Sequence, residues 1–333
     1  MSRDGREDAR WMAQALALGE KARGGTAPNP NVGCVIVREG QIVGRGCTGT
    51  GGRPHAEAAA LSQAGDQARG ATAYVTLEPC CHLSERGPAC ADLLIAAGVS
   101  RVVASLQDPW PAVKGGGFDR LRAAGVEVAV GEGAEQARRS MIGFLTRQRL
   151  GRPHVTLKLA ISIDGRIALA SGESRWITGE EGRADVHRER ARADMILVGR
   201  GTYEADAPQL DVRLPGLEHL SPKRALLTRG EAPDGWVNMA SPDDVSELTD
   251  VNELLIEGGA GAAASFLRAD LVDRLLVYRA PILIGAGRAA VDELGLGSLA
   301  DAHARWTRTQ TRPLGTDLLE VYERTRDPDL RSP

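Results

Sequence analysis

Several features are scarce in this 333-residue sequence, and each scarcity excludes a class of protein. No apolar run approaches the roughly 18 uninterrupted residues of a membrane-spanning helix, so no membrane partner is expected. Neither sign of charge dominates. Lys and Arg total 41 against 44 Asp and Glu, and the net charge of −3 gives no support for nucleic acid or an anionic membrane as partner. The start, Met1-Ser2-Arg3-Asp4-Gly5-Arg6-Glu7-Asp8, is polar and acidic and lacks the apolar core of a signal peptide. Cysteines number five (Cys34, Cys47, Cys80, Cys81 and Cys90), all in the first third of the chain. An odd, clustered set suits a reduced, cytoplasmic protein with a metal site better than a disulfide scaffold. What is present is ordinary apolar content in a chain too long for one comfortable domain, so two are expected.

The pattern along the chain divides accordingly. Asp8 to Arg23 reads as an amphipathic helix, with Trp11, Ala15 and Leu18 near one face. Cys34–Val37 and Gln41–Gly44 flank a Glu39-Gly40 turn and read as a hairpin. Helices are expected at His55–Ala64, Cys90–Ala97 and Phe118–Ala124, and strands at Ala73–Leu77, Arg101–Ser105 and Val126–Val130. That order, ββαβαβαβ, makes a mixed α/β layer sandwich. A basic stretch with Gly and Pro, Thr146 to Pro153, marks the boundary, with domains expected over 1–148 and 153–325. Beyond it, strands are expected at Val155–Ala160, Met195–Gly199, Arg224–Thr228, Leu254–Glu257 and Arg274–Tyr278. Helices are expected at Gly182–Arg192 and Ala262–Ala269. Ile282-Leu283-Ile284 is expected to continue that sheet, and the tail after Arg324 to fray.

The chemistry concentrates in His55-Ala56-Glu57, Glu78-Pro79-Cys80-Cys81 and Pro88-Ala89-Cys90. One imidazole and two thiols suit a catalytic zinc, because three protein ligands leave the fourth tetrahedral position open for water. Such a water ionises near neutral pH. Glu57 is not needed as a ligand and is close enough to move protons. This is the arrangement of a hydrolytic deaminase, whose signature is H-x-E followed by P-C-x-x-C. The match is partial: the second thiol lies ten residues after Cys80, not three. His55 opens one helix while Cys80 and Cys90 flank the approach to another, and helix N-termini favour thiolate. A structural zinc would normally close with four protein ligands. Cys81 and His82 are the candidates for a fourth, but a residue adjacent to a ligand ordinarily faces away.

Glu257-Gly258-Gly259-Ala260-Gly261 ends a strand and opens a helix, where backbone N–H groups can approach a phosphate. It is not a G-x-G-x-x-G fingerprint, and a plain tight turn is the alternative. Arg190 and Arg213 can bind an anionic substrate, or can be solvated surface charges.

Longer stretches carry a resemblance. Thr26-Ala27-Pro28-Asn29-Pro30-Asn31-Val32-Gly33, Pro54-His55-Ala56-Glu57 and Ala73-Tyr74-Val75-Thr76-Leu77-Glu78-Pro79-Cys80 are similar to the deaminase half of the RibD family of bifunctional riboflavin biosynthesis proteins. Lys158 to Arg166, Ser171 to Thr178, Ala205 to Arg213 and Glu257-Gly258-Gly259 resemble its reductase half. The resemblance implies an α/β fold in two domains, a cytidine-deaminase-like α/β/α sandwich followed by a dihydrofolate-reductase-like domain. It implies two steps on a small phosphoribosylated pyrimidine: hydrolytic loss of a ring amino group, then reduction of the opened ribose by NADPH. It assigns zinc to His55, Cys80 and Cys90 and proton transfer to Glu57. It assigns NADPH contacts to Ala160, Trp176, Thr202, Asp206 and the stretch Gly259, Ala260, Gly261, Ala262, Ala263, Ala264 and Ser265. Substrate contacts fall to Ser174, Arg190, Leu210, Arg213 and Glu257, with the arginines as phosphate clamps. A homo-oligomer is expected at family level only.

Departures from the family pattern gather around the deaminase site. Cys80-Cys81-His82-Leu83-Ser84-Glu85-Arg86-Gly87-Pro88-Ala89-Cys90 is one residue longer than the usual loop, and His82 and Arg86 stand in for its contacts. Trp110 occupies a place that is usually Asn, which exchanges a polar contact for stacking. Asp211 replaces a Thr beside Arg213 and can draw that arginine away from phosphate. Two other readings share the zinc motif: a deaminase of nucleic-acid bases, against which the net charge speaks, and a zinc scaffold with a degenerate reductase half.

Overall fold

A computed structural model describes residues 3–82 and 87–326. The chain forms two compact units, Met1–Gly151 and Arg152–Pro333. Among the described residues no helix is long and apolar enough to cross a membrane.

The first unit is built on a five-stranded sheet. In chain order its elements are α1 (Arg3–Ala22), β1 (Gly33–Arg38), β2 (Gln41–Cys47), α2 (Ala56–Ala64), β3 (Thr72–Val75), α3 (Cys90–Ala96), β4 (Arg101–Ala104), α4 (Gly116–Ala123), β5 (Glu127–Val130), α5 (Ala134–Ser140) and α6 (Ile142–Leu150). The strand order is β2-β1-β3-β4-β5. The β1–β2 and β1–β3 pairs are antiparallel, and β3–β4 and β4–β5 are parallel. Side chains alternate across each strand. Val35, Val37 and Tyr74 therefore meet Trp11, Met12 and Ala15 of α1 on one face, while Cys34, Ile36, Ala73 and Val75 meet α2 and α3 on the other.

Helix α2 is made almost entirely of alanine on its inner side, and it lies directly on strand β2. A Cβ added to Gly46 would sit 2.2 Å from the Ala56 carbonyl oxygen, and one added to Gly44 would sit 2.2 Å from that of Ala60. Backbone therefore rests on backbone, and only glycine fits at those two places.

The second unit comprises β6 (His154–Ile161), β7 (Arg166–Ala168), α7 (Glu180–Arg192), β8 (Met195–Gly199), α8 (Arg200–Asp206), β9 (Lys223–Leu227), β10 (Val237–Met239), β11 (Glu253–Ile256), α9 (Ala260–Arg268), β12 (Arg274–Arg279), β13 (Arg288–Ala289), β14 (Trp306–Leu314) and β15 (Asp317–Arg324). Its eight-stranded sheet runs β10-β9-β8-β11-β6-β12-β15-β14. The sheet is parallel from β10 through β12 and antiparallel at β12–β15 and β15–β14. The parallel strands are near-continuous apolar runs, as burial on both faces requires.

One strand expectation fails, and several elements were not expected. Ile282-Leu283-Ile284 is not strand, and Leu283 is exposed. Pro281, two residues beyond the end of β12, has no N–H to give a continuing ladder. The antiparallel edge is supplied instead by the β14–β15 hairpin, in a segment with no strand expectation. The division between the units falls inside the basic stretch expected as the boundary; its part up to Leu150 is the second half of α6, which stops at Gly151 in a left-handed conformation (φ 68°). Helices α5 and α6 were not expected.

Candidate zinc and reductase sites

In the first unit, His55 caps the start of α2 and Cys90 opens α3. Cys80 is held between them. Its carbonyl accepts from the Ala91 N–H at 3.1 Å, and the Cys90 N–H points at its Sγ at 3.3 Å. The ligand atoms of His55, Cys80 and Cys90 all lie within 4.8 Å of one another, the single such cluster among the described residues. Zinc–nitrogen and zinc–sulfur bonds of ordinary length, at a tetrahedral angle, set those donors about 3.6 Å apart. His55 Nδ1 is 3.6 Å from Cys80 Sγ and 3.3 Å from Cys90 Sγ, so spacing and donor chemistry both fit zinc.

The electrostatics concentrate negative charge on one small volume. The Cys80 thiol is driven down to about 4, first by its hydrogen bond with Cys90. Cys90 is pushed up by that same bond and by burial. Its hydrogen bond with Cys80 raises His55. Glu57, on the first turn of α2 and 3% exposed, rises to about 7 because burial disfavours its charge and the Cys80 thiolate adds to that. A divalent cation relieves this crowding of anions. Cys81 faces away, its Sγ 3.8 Å from the carbonyls of Ala112 and Val113.

The cluster opens into a cavity of about 400 Å³ whose walls include Asn29, Arg53, His82, Asp108, Trp110 and Arg147. His82 and Trp110 meet edge to face, with ring centroids 4.9 Å apart and planes at 84°. Arg86, expected to serve beside His82, lies outside the described residues.

In the second unit the expected substrate residues converge in part. Arg190 of α7 grips Glu257, at the end of β11, with Nε–Oε1 2.6 Å and Nη2–Oε2 3.0 Å, and donates Nη1 to the Asp211 carbonyl at 3.0 Å. Arg213 lies with its Nε 3.4 Å from Asp211, the proximity expected of that departure. Two neighbours were missed. Lys158 Nζ is 3.8 Å from Glu257 Oε2, and burial lowers its pKa. His187 Nδ1 accepts from the Arg213 N–H at 3.2 Å. A lone lysine inside the apolar run Val155–Ala160 was the available signal for the first. Leu210 is 4% exposed and packs its side chain in a core cluster, so only its backbone is offered.

The expected cofactor residues fall on adjoining elements. Thr202 of α8 accepts from the Gly259 N–H at 2.9 Å, joining that helix to the glycine turn before α9. Arg175 donates to the Asp206 carbonyl at 3.1 Å, tying Trp176's segment to the end of α8. Trp176 is 66% exposed, with Arg183 stacked over it 4.9 Å from the ring centre. Ala262, Ala263 and Ala264 are buried against the sheet, whereas Gly261 is exposed and Ser265 half-buried. Ala160 and Ser174 are half-buried, and neither makes a side-chain hydrogen bond among those described.

A half-open His–Cys–Cys centre with a buried carboxylate at the head of one α/β unit, followed by a second, mostly parallel α/β unit, defines a zinc-dependent deaminase domain fused to a dihydrofolate-reductase-like domain. Comparisons with known proteins agree. The cytidine and deoxycytidylate deaminase zinc-binding region matches residues 6–106, and the RibD C-terminal domain matches residues 153–319. Riboflavin biosynthesis protein RibD of Escherichia coli is 40% identical over 361 residues, covering 94% of this chain and 98% of its own. That of Mycobacterium tuberculosis is 42% identical over 325 residues, covering 92% and 95%. The solved structure of Acinetobacter baumannii RibD superposes with a TM-score of 0.88 at 37% identity, covering 97% of this chain and all of that one. The chain belongs to the RibD family and is a bifunctional riboflavin biosynthesis enzyme with a zinc-binding deaminase region.

Proposed function

We propose that the chain converts 2,5-diamino-6-(5-phosphoribosylamino)pyrimidin-4-one to 5-amino-6-(5-phosphoribitylamino)uracil, with residues 1–148 acting as the deaminase domain and 153–325 as the reductase domain. The observation that carries the reading is the buried Glu57 carboxylate beside the His55–Cys80–Cys90 donor set at the mouth of the cavity. When bound, zinc supplies an acid that activates water, and NADPH supplies hydride.

Glu57 does the proton work of the first step. A carboxyl held near neutrality by burial takes a proton from water at one moment and returns it at the next. Water adds at the ring carbon bearing the amino group; the protonated nitrogen leaves as ammonia and a carbonyl remains. His55, Cys80 and Cys90 would hold the metal, and its binding would keep both thiols deprotonated. In the second step the aldehyde of the opened ribose accepts hydride at carbon and a proton at oxygen. Lys158, whose pKa burial lowers, stands 3.8 Å from Glu257 and is the source of that proton. Glu257 and Arg190, with Ser174, Leu210 and Arg213, hold the phosphorylated chain. Ala160, Trp176, Thr202, Asp206 and Gly259 to Ser265 hold NADPH.

Zinc-loaded protein offered the diaminopyrimidine ribotide and NADPH should release ammonia and oxidise NADPH; neither signal would overturn the reading. Glu57→Gln should slow ammonia release by roughly 100- to 10,000-fold while leaving zinc bound. Loss of zinc in that variant would mean that Glu57 serves the metal rather than the proton.

A further inference from the structure

We infer that Glu78 is a positioning residue of the deaminase site, fixing segment 108–118 and so holding the Trp110–His82 wall against which the pyrimidine ring packs. The inference rests on the deaminase reading above and deepens it.

Glu78 is buried, and among the described residues its carboxylate forms no ion pair. Its carboxylate instead accepts four backbone N–H groups. Oε2 accepts from Asp108 at 3.1 Å and Gly115 at 3.0 Å; Oε1 accepts from Gly117 at 2.9 Å and Phe118 at 3.3 Å. An ionised carboxylate has about four lone-pair sites, so this one is saturated. One oxygen closes the two ends of the 108–115 loop. The other caps the first turn of α4, where negative charge complements the free N–H groups. Close packing reinforces the seam: a Cβ at Gly117 would lie 2.0 Å from the Pro79 carbonyl oxygen. The Cys81 thiol bears on the carbonyls of Ala112 and Val113 from the same side.

The clamped loop carries Trp110, whose N–H donates to Asp108 at 2.8 Å. Its indole stands edge to face with His82 in the cavity wall. His82 Nδ1 is buried without a hydrogen-bond partner among the described residues. A planar heterocycle supplies the face against which the indole packs.

Glu78→Gln separates positioning from chemistry, because an amide keeps the size yet turns its NH2 toward two of the four N–H donors. Hydrogen exchange on the full-length protein reads the clamp directly. The amides of Asp108, Gly115, Gly117 and Phe118 should exchange at least ~10-fold faster in the variant, with those of β3 and β4 unchanged. Unchanged protection in a folded variant overturns the proposal. In kinetics, the KM for deamination should rise about 10-fold while kcat, zinc content and NADPH oxidation hold, since a charge-assisted bond network is lost and no reacting group is touched. The same substitution in a Trp110→Ala background should add little. An equal rise in both backgrounds, or a fall in kcat at constant KM, overturns it. Should Glu78→Gln not fold, Trp110→Ala and Trp110→Phe decide: alanine should raise KM about 10-fold and phenylalanine restore most of it, because ring contact is retained. Equal KM values in both overturn the proposal. A wild type that releases no ammonia counts against the deaminase reading instead, and the exchange result stands independently.

Discussion

Arg190 and Glu257 meet fork to fork, with two parallel hydrogen bonds of 2.6 and 3.0 Å between largely buried groups. Lys158 stands 3.8 Å from the same carboxylate. One anion thus holds two cations, and the surplus positive charge belongs to the cluster rather than to a single reaching arginine. An isolated Arg190 would be free to swing, whereas here the guanidinium is held in place by the carboxylate.

The first prediction follows from that pair. Glu257→Ala strands Arg190 and Lys158 with no counter-charge, and breaking a buried pair this way costs about 3–5 kcal/mol. Urea unfolding of the variant should show the loss in the transition of the second unit, with zinc content unchanged. Glu257→Gln, which keeps an acceptor, should lose less.

A second prediction uses the two adjacent thiols. Cys80 faces the donor cluster and Cys81 the carbonyls at 112 and 113. Cys90→Ser should lower zinc affinity by well over the roughly 10- to 100-fold that the loss of a supporting partner costs. Cys81→Ser should retain a full equivalent. Metal analysis after dialysis against a weak chelator distinguishes them, and equal zinc loss would place Cys81 in the ligand set.

The third concerns pH. Burial raises Asp108 to about 6, above its unfolded value, so the folded protein holds this proton where the unfolded chain has released it. Stability from this group is therefore present at low pH and lost as pH rises through about 6. Between pH 5 and 7 the loss should be about 1 kcal/mol. Asp108→Asn should flatten that slope in denaturant titrations at the two pH values; an unaltered slope would show that Asp108 ionises freely.

The zinc centre was legible because His55-x-Glu57 and Pro79-Cys80 match a known pattern, because His55 and Cys90 sit at helix starts, and because alanine repetition fixed α2. The β14–β15 hairpin was not. Thr307, Arg308, Thr309, Gln310 and Thr311 are all exposed, so β14 has no alternation for periodicity to detect. Ile282-Leu283-Ile284 misled in the opposite sense, an apolar run that stays outside the sheet after Pro281. The second half of α6 was obscured by arginines that read as boundary. Glu78 was unreadable for a different reason: its partners are backbone amides, which every residue type supplies equally.

Gly44 and Gly46 have one more consequence. They seat α2 main chain to main chain on β2, so the height of Glu57 above the sheet is set by covalent geometry instead of side-chain volume. The apolar interior can change its composition over many generations without moving Glu57, whereas one added methyl on that seat would displace the helix that carries it.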